Sequence, residues 1–526
     1  MPKHSSQSFL IITSAFLLTV SFPKFSFGFL AWIALVPALT ALARTKSKWE
    51  AFFVFYCVGF LFFFMSLEWL RHVTYFGWVF VAALYAVFFG LFGCLAFFLL
   101  RRDRFILSLI AVPAAWVVLE WIRTEMPVWA FGWNLLGYTQ SHYLPIAQTA
   151  AIFGVYGLSF LIVLCNLTIW LLTASWPQAF ERQRAFWRLG YTGLLILIVM
   201  LYGLNRLNQP QHDGKVVAVG VVQANIPQSQ KWDAAYRAGI IEKYRRLSEF
   251  VVYSRPDLIV WPESSWPGIL NRDSERHTIF EWVKEARIPF LMGSPYEEEG
   301  AVIGRQPKIF NSAYFINENG QLLNRYDKMR LVPFGEFVPF AQFFSWFGLE
   351  KYAYSLGVGD FSPGDSPAVF QLETKSGVRH PDAARVPFSF SSLICFEDTF
   401  PSLARKMVRA GAEFLVVLTN DAWFGTSAAP YQHLQASILR AIEEGVPVVR
   451  AANTGVSGFI SSKGKVLSRV ENQYGFDTWV AGGLTHSILL SHPPTFYARQ
   501  GHLFPMGCLA ILLLIFVSLR FFPPKN

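Results

Sequence analysis

The chain has 526 residues, of which 53% are hydrophobic, 17% aromatic and only 15% charged. This composition is too apolar for one soluble globule and is typical of a membrane protein, and the length allows more than one domain. The formal net charge of +10 would suit nucleic-acid binding if the basic residues clustered on a soluble face, but many of them lie in short loops between apolar segments.

Eight apolar stretches are long enough to cross or nearly cross a bilayer, given roughly 20 apolar residues per crossing. They lie at 8–22, 28–43, 51–69, 76–100, 105–120, 155–175, 189–205 and 503–522. The first could instead be a signal peptide, because Lys3 precedes its apolar core, but several similar segments follow it. We therefore predict eight transmembrane helices.

Positive charges in the connecting loops predict the orientation of these helices. If the N-terminus is cytoplasmic, the loops that return to the cytoplasm should carry Lys and Arg, as they do at "RTKSK", "RRDR" and "ERQRAFWR", and the tail adds Arg520 and Lys525. Both termini are then cytoplasmic, and in a bacterial inner membrane the large insert faces the periplasm. The predicted parts are a transmembrane domain at 1–205, an extracytoplasmic domain at 206–502, and a last helix with its tail at 503–526.

From about residue 206 the pattern is that of an α/β or α+β domain, because apolar runs shorten to strand length between Gly, Pro, Asn and charged residues. Strands are predicted in "KVVAVGVVQANIP", "DLIVWPES", "PFLMGSPY", "NSAYFINENGQLLNRYDK", "FSFSSLICFED", "AEFLVVLTNDAW" and "PVVRAANTGVSGFISSKGKVL". The fourth turns at "ENG" as a hairpin. Helices are predicted within 232–254 and near 430–444. This alternation favours packed sheets with helices outside them.

The five cysteines divide unequally between the two parts of the chain. Four of them fall within predicted spans, where small apolar side chains are common, namely Cys57, Cys94, Cys165 and Cys508. Only Cys395 lies in the extracytoplasmic domain, so it has no partner there for an intramolecular disulfide, although that compartment favours oxidation. Taken alone, Cys395 is either a small core residue at a strand end or a nucleophile.

A nucleophilic cysteine needs a base or a positive charge to become a thiolate, and its reaction needs a donor for the developing oxyanion. Two candidates follow other predicted strands. Glu263 stands between Pro262 and a turn of small residues, and Lys328 lies in "RYDKMRLVPFGEFVP", just past the hairpin. Neither context suits an ordinary surface charge.

Three motifs in this order, "WPES", "YDKMRLVPFGEFVP" and "ICFED", resemble the Glu, Lys and Cys motifs of the nitrilase superfamily. Together with the predicted spans, they resemble the bacterial apolipoprotein N-acyltransferases over nearly the whole chain, and "QANIPQSQKW" and "TNDAWFG" add to this. The resemblance implies a polytopic α-helical membrane domain of eight transmembrane helices and an extracytoplasmic α/β domain of nitrilase type, an αββα sandwich.

The resemblance also implies that Cys395 is the nucleophile, Glu263 the general base and Lys328 the stabiliser of the tetrahedral intermediate. These residue types suit the chemistry. A carboxylate can take the thiol proton and later return it to a leaving alkoxide, and an ammonium can favour the thiolate and bind an oxyanion. The main-chain amide of Phe396 is predicted to be a second oxyanion donor.

Further residues match positions that the family uses, namely Trp232, Glu336, Glu397 and Asn420. Glu336 either orients Lys328 through a charge-assisted bond or is a solvated loop acid. Glu397 positions Lys328 or Glu263, binds an amine, or caps the helix predicted near "TFPSLARKM". The capping role suits its neighbour Asp398 better.

An aromatic segment, "FVPFAQFFSWFGLEKYAYSLG", follows the lysine motif and holds seven Phe, Trp and Tyr residues between Phe340 and Tyr354. Such segments favour the membrane interface, so we predict membrane contact here, with a buried lid as the alternative. Trp232 is either a substrate contact or a packing residue. No metal or cofactor is expected, because the histidines lack the spacing of a tetrahedral site and there is no Gly-rich phosphate loop.

The implied reaction has two steps. Cys395 attacks an acyl ester of a phospholipid, with phosphatidylethanolamine as the expected donor, and a lysophospholipid leaves behind a thioester. The α-amino group of the diacylglyceryl-cysteine that begins an apolipoprotein then attacks this thioester. Ping-pong kinetics follow from such a covalent intermediate. The enzyme is expected to work as a monomer.

Two other classes remain open. A membrane-tethered amidase of nitrilase type would use the same three residues with water as the acceptor, but hydrolysis of a soluble amide needs neither eight spans nor the aromatic segment. A transporter with a binding ectodomain would leave Cys395 unused. Charged residues in the middle of spans would favour a transporter, whereas Glu68, Arg71 and Glu120 lie near predicted span ends.

Overall fold

The computed structural model describes residues 2–101, 105–175, 179–210, 215–298, 307–333, 335–337, 360–375, 385–490 and 494–521. The chain forms two compact units. One consists of Met1–Pro210, Ser427–Glu443 and Thr495–Asn526, and the other of Gln211–Thr426 and Glu444–Pro494. Most of the predicted aromatic segment, from 338 onwards, lies outside the described residues.

The described helices are, in chain order, α1 (Pro2–Val20), α2 (Val36–Ala43), α3 (Lys48–Ser66), α4 (Tyr75–Leu100), α5 (Phe105–Glu125), α6 (Leu144–Ala147), α7 (Ala150–Ser175), α8 (Ala179–Asn208), α9 (Arg237–Val252), α10 (Arg276–Ala286), α11 (Pro401–Arg409), α12 (Ala429–Glu444), α13 (Phe496–Gln500) and α14 (Leu503–Phe521). Local signals fit these bounds. Helix α3, for example, begins after Ser47, whose hydroxyl accepts a hydrogen bond from the Glu50 amide.

Helices occupy all eight of the apolar stretches predicted above. Among the described residues, α3, α4, α7 and most of α8 are long and apolar enough to cross a membrane, as judged by length and composition. Shorter apolar helical segments cover Ser6–Val20, Gly28–Ala43 and Leu503–Ser518. Four helices of the described residues are therefore candidate spans, and the count of eight stays a prediction.

The second unit contains two six-stranded sheets. The strands are β1 (Lys215–Gln223), β2 (Leu258–Val260), β3 (Phe290–Glu297), β4 (Ile309–Ile316), β5 (Leu322–Asp327), β6 (Val369–Lys375), β7 (Arg385–Ile394), β8 (Phe414–Thr419), β9 (Val448–Ala452), β10 (Gly458–Ile460), β11 (Val466–Arg469) and β12 (Gly482–Leu490). Their order is β12-β1-β2-β3-β4-β5 in one sheet and β11-β10-β9-β8-β7-β6 in the other.

The two sheets share one pairing pattern. In each, three neighbouring strands run parallel, β1-β2-β3 in one sheet and β7-β8-β9 in the other, and antiparallel strands flank them. Parallel strands buried on both faces read as continuous apolar runs, as "FLVVLT" does in β8. Because parallel strands end on the same edge of a sheet, residues that follow them converge there.

Aromatic and aliphatic side chains join the layers of this unit. Phe315 on β4 packs against Phe370 and Phe390 of the other sheet, with ring centroids 5.5 and 5.6 Å apart. On the outer face of the first sheet, Tyr244 of α9 stacks on Trp261 at 4.7 Å, in a buried cluster that also contains Phe290 and Val283. Helix α11 contacts β7 and β8 of the second sheet.

Most of the predicted strands are present, as are the helices predicted within 232–254 and near "TFPSLARKM", and the predicted hairpin is formed by β4 and β5. The helix predicted near 430–444 is also present, as α12, most of which belongs to the first unit. Three elements were missed, namely α10, β6 and β12. Strand β12 is an edge strand that begins with two glycines, which are poor strand formers, so it carried little local signal. Its place depends on pairing with β1, far away in sequence.

Candidate active site

The three predicted catalytic residues lie just beyond the ends of three strands. Glu263 follows β2, Lys328 directly follows β5, and Cys395 directly follows β7, which belongs to the other sheet. The structure brings them together. Lys328 Nζ lies 3.5 Å from Glu263 Oε1, and the charges of both residues act on the Cys395 thiol.

The Glu263 carboxylate is buried and held by donors on both of its oxygens. Oε1 accepts from Asn311 Nδ2 at 2.8 Å and from Lys328, and Oε2 accepts from the Asn420 main-chain amide at 2.8 Å. Gly293 on β3 permits this arrangement, because a Cβ there would lie 2.6 Å from the Glu263 Cα. The carboxylate therefore has one fixed orientation.

Lys328 is buried between two carboxylates. Its Nζ donates to Glu336 Oε1 at 2.8 Å, and Asn311 Nδ2 donates to the same oxygen at 2.8 Å, so Asn311 bridges Glu263 and Glu336. Burial alone would lower the pKa of Lys328, but Glu336, Glu263 and Cys395 together raise it above its usual value. The two carboxylates therefore favour the charged lysine, and Glu336 is its direct partner rather than a solvated loop acid.

Cys395 opens a 3-10 turn, Cys395–Thr399, and adopts a left-handed φ of 53°. Side chains other than Gly, Asn and Asp seldom adopt this region, and such strain is concentrated at functional sites. The residue keeps part of its surface accessible. Burial of the sulfur and the charge of Glu263 raise the pKa of the Cys395 thiol well above its ordinary value, and Lys328 opposes them. At rest the sulfur therefore carries its proton and needs a base.

Glu397 is fully buried and binds the loop that carries Lys328. Its Oε1 accepts from the amides of Met329 and Arg330 at 2.7 and 3.0 Å, and its Oε2 accepts from the Ile394 amide at 2.7 Å. The Tyr326 hydroxyl donates to both oxygens. Burial raises the pKa of Glu397 to about 7, although these donors and the charge of Lys328 each lower it. Of the roles left open above, the contacts favour positioning Lys328 through its main chain.

We expect Glu397→Gln to destabilise the protein and slow the chemistry of Cys395. Every group that faces the two oxygens is a donor, so the new NH₂ group meets an N–H or O–H wherever it points. An unsatisfied buried donor of this kind costs about 1–3 kcal/mol. The expected result is a lower melting temperature and slower acylation of Cys395 by a labelled donor. Tyr326→Phe removes one donor of several and should do less, and unchanged melting and acylation in Glu397→Gln would exclude the positioning role.

Asp398 does not cap helix α11, and that prediction is wrong. The helix begins at Pro401 with Phe400 as its N-cap residue and no side-chain cap bond. Instead Asp398 Oδ2 accepts from Arg450 Nη1 at 2.8 Å, with both side chains buried. A buried charge requires a paired charge, and β9 supplies the arginine.

Phe396, which precedes Glu397, is buried with its ring against Phe400. The role of its main-chain amide as an oxyanion donor stays a prediction.

Asn420 contacts Glu263, and Trp232 follows Lys231, which also contacts Glu263. The Asn420 amide binds Glu263, its side chain donates to Gln228 Oε1 at 2.9 Å, and its Oδ1 accepts from Asn453. Trp232 has 50% of its surface exposed, so it is not a core packing residue in the described structure. Its role as a substrate contact stays a prediction.

Sequence reasoning missed two residues of this site. Asn311, at the start of "NSAYF", contacts both carboxylates. Lys231, next to Trp232 in "QKW", donates from Nζ to the Glu263 carbonyl oxygen at 3.0 Å and is 3% exposed. A polar residue that opens a buried strand, and a lysine inside a motif already noted, were the available signals.

Two family descriptions match the chain. The apolipoprotein N-acyltransferase N-terminal domain matches residues 14–168, and the carbon-nitrogen hydrolase domain matches residues 218–478. The second range contains Glu263, Lys328 and Cys395, and the first covers much of the helical unit.

Individual proteins are similar over most of the chain. An apolipoprotein N-acyltransferase of Geobacter metallireducens is 36% identical over 95% of this chain and 93% of its own length. One from Allorhizobium ampelinum is 34% identical over 84% of this chain and 82% of its own length. Among solved structures, an amidase of the nitrilase superfamily from Nesterenkonia AN1 is 18% identical, covers 55% of this chain and 96% of that chain, and has a TM-score of 0.37.

Proposed function

The chain belongs to the apolipoprotein N-acyltransferase family, and we propose that it transfers the acyl chain through a thioester on Cys395, with Glu263 as base and Lys328 as oxyanion partner. The resemblance predicted from the three motifs is confirmed by the relatives and by both domain matches. The relatives carry the transferase name over most of the chain, which favours transfer over the amidase alternative.

In the first proposed half-reaction, the Glu263 carboxylate takes the Cys395 proton as the sulfur attacks the ester carbonyl of a phospholipid, expected to be phosphatidylethanolamine. The carbonyl electrons move to oxygen, and the free N–H of the Lys328 ammonium and the Phe396 amide stabilise that oxyanion. The carbon–oxygen bond then breaks, and Glu263 returns the proton to the departing alkoxide. Lysophospholipid leaves and the acyl chain stays on sulfur.

In the second half-reaction, the α-amino group of the diacylglyceryl-cysteine of an apolipoprotein attacks the thioester carbon. The carbon–sulfur bond breaks, and the amine proton passes through Glu263 to the Cys395 sulfur. The products are an amide and the original thiol, so the cycle needs no cofactor. Donor and acceptor use the same sulfur in turn, which gives ping-pong kinetics.

The convergence of Glu263, Lys328 and Cys395 is the observation that carries this proposal. The donors on Glu263 leave it oriented as a base, and the raised pKa of the Cys395 thiol makes such a base necessary. Glu336 holds the lysine. Asn420 holds Glu263 by its amide, and we assign Trp232 to the substrate on account of its exposure.

The remaining parts of the proposal concern topology. We propose eight transmembrane helices with both termini cytoplasmic in a bacterial inner membrane, since four long apolar helices and the Lys and Arg residues of the loops support this orientation. The transmembrane domain is proposed at 1–205, the periplasmic catalytic domain at 206–502 as an αββα sandwich, and the last helix and tail at 503–526. The proposed active form is a monomer.

Transfer can be separated from hydrolysis by following a labelled acyl chain. We expect the purified protein to move label from phosphatidylethanolamine in mixed micelles to a diacylated lipopeptide with a free α-amine, in a bond that resists hydroxylamine. The same lipopeptide with an acetylated α-amine is the matched control and should stay unlabelled. Release of label only as free fatty acid, with both lipopeptides unlabelled, would identify a hydrolase.

A further inference from the structure

The mechanism above leaves one buried cation without a role. Lys231 lies in the loop after β1, is 3% exposed, and donates from Nζ to the Glu263 carbonyl oxygen at 3.0 Å. This is the one hydrogen bond of its ammonium within the described part of the chain, although an ammonium has three donors. No carboxylate lies within ion-pair distance of it among the described residues. Burial of a charge with so few partners costs free energy. A lysine at this position is therefore expected to have a function that offsets this cost.

The two lysines of the site differ in their partners. Lys328 is paired with Glu336 at 2.8 Å and contacts Glu263 at 3.5 Å, so its charge is largely matched. Among the described residues Lys231 contacts only a neutral carbonyl, and its charge acts on the Glu263 carboxylate and on the Cys395 sulfur without direct contact. Burial lowers the pKa of Lys231 to about 8, and Glu263 and Cys395 oppose that shift.

The charge balance changes as Cys395 ionises. At rest, the carboxylates of Glu263 and Glu336 both contact Lys328, and Lys231 contacts only the Glu263 carbonyl oxygen among the described residues. When Glu263 takes the thiol proton, the negative charge moves to sulfur. The charge of Lys231 acts on that sulfur, and a nearby opposite charge favours an ionised group. The same hydrogen bond keeps the main chain of Glu263 in place during this transfer.

We propose that Lys231 is a positioning residue of this site, which holds the main chain of Glu263 and sets an unmatched positive charge against the Cys395 sulfur. This inference rests on the proposed role of Cys395. Its test, however, measures the reactivity of the Cys395 thiol and not acyl transfer. Failure of the inference and failure of the proposed function therefore give different results.

The test is the rate of alkylation of Cys395 by iodoacetamide as a function of pH, followed by mass spectrometry of the peptide that contains Cys395. In Lys231→Met, the rate should fall about tenfold below pH 8, equivalent to a displacement of thiol ionisation by about one pH unit. The native lysine loses its proton as the pH rises through about 8, so the ratio of native to variant rates should shrink above that pH. The other charged groups that face this region, Glu263, Lys328 and Asp421, are common to both proteins.

Two further variants complete the test. Lys231→Arg keeps its charge at every pH, so it should restore the rate below pH 8 and exceed the native protein above it. Lys243→Met is the matched control, because Lys243 also donates to a main-chain carbonyl, that of Asn225 at 3.3 Å, outside the catalytic residues. It should leave the profile of Cys395 unchanged.

A purely structural role for Lys231 predicts a different pattern. The ratio of native to Lys231→Met rates would then be the same at every pH, or equal to one, and either result overturns the proposal. If Lys231→Met does not accumulate in the membrane, the ratio of Lys231→Arg to native rates decides the question. That ratio should rise as the pH passes about 8, and a flat ratio overturns the proposal.

Discussion

Cys395→Ala is expected to abolish both the acyl-enzyme and the transfer of acyl chains. With labelled phospholipid alone, the native protein should acquire a label that hydroxylamine removes, and the variant should acquire none. Removal of a nucleophile from a site that works as a unit lowers turnover by about 10⁴-fold or more. Cys395→Ser should be nearly as inactive, because a carboxylate is a poor base for a hydroxyl that ionises far less readily than a thiol.

The chain offers a matched control for this experiment. Cys57 is an exposed cysteine on α3, outside the catalytic domain, and Cys57→Ala should keep the hydroxylamine-sensitive label and the transfer rate. Label that persists on Cys395→Ala would place the acyl chain elsewhere and would refute the thioester mechanism.

Glu263→Gln is expected to separate the reactivity of the thiol from catalysis. The amide cannot accept the thiol proton, so formation of the thioester should fall by about 10²–10⁴-fold, the usual contribution of a general base. The carboxylate also raises the pKa of Cys395. Its removal should therefore lower the pH at which iodoacetamide alkylates the thiol at half its maximal rate, while Lys328 remains charged beside it.

The maximal rate of alkylation separates this result from a loss of structure. A site that had merely lost its structure would also lower the pH of alkylation, because burial raises the pKa of Cys395 too, but its exposed thiol would react faster at every pH, whereas Glu263→Gln should keep the native maximal rate. Glu242→Gln serves as the control, because Glu242 is an acid on α9 in a surface pair with Arg246. Such pairs contribute little, so both readouts should match the native protein. Unchanged acylation in Glu263→Gln would exclude it as the base.

The amino-acid sequence was sufficient for several conclusions about the fold and the site. The short apolar runs of β2 and β8 predicted buried strands, because such strands are apolar on both faces. The run in β7, in which Phe and Ser alternate before Leu393 and Ile394, predicted a strand that meets a polar turn. The polar residues that follow those runs predicted the site. A charged residue at the end of a buried strand loses solvation, so its presence there indicates either a function or a destabilised fold. The three motifs in order then identified the family.

Local pattern failed where a residue's partner is distant in sequence. Asp398 looked like a helix cap because capping is decided by neighbouring residues, but its partner Arg450 lies 52 positions away on β9. Lys231 and Asn311 carry only weak local signals, a lysine within a noted motif and a polar residue near the start of a buried strand. Each becomes part of the site only because the loop after β1, and the strand β4, lie beside the turn that holds Glu263.

By itself, the sequence determined which residues can do chemistry here, the family of the chain, and which segments are apolar enough for a membrane. Tertiary structure alone decided which charges meet. Glu263 and Lys328 are 65 positions apart and contact each other because β2 and β5 belong to one sheet, while β7 brings Cys395 to them from the other. The physical reason is that protonation and charge pairing depend on distances of a few ångströms, which strand order and register set and which spacing along the chain does not encode.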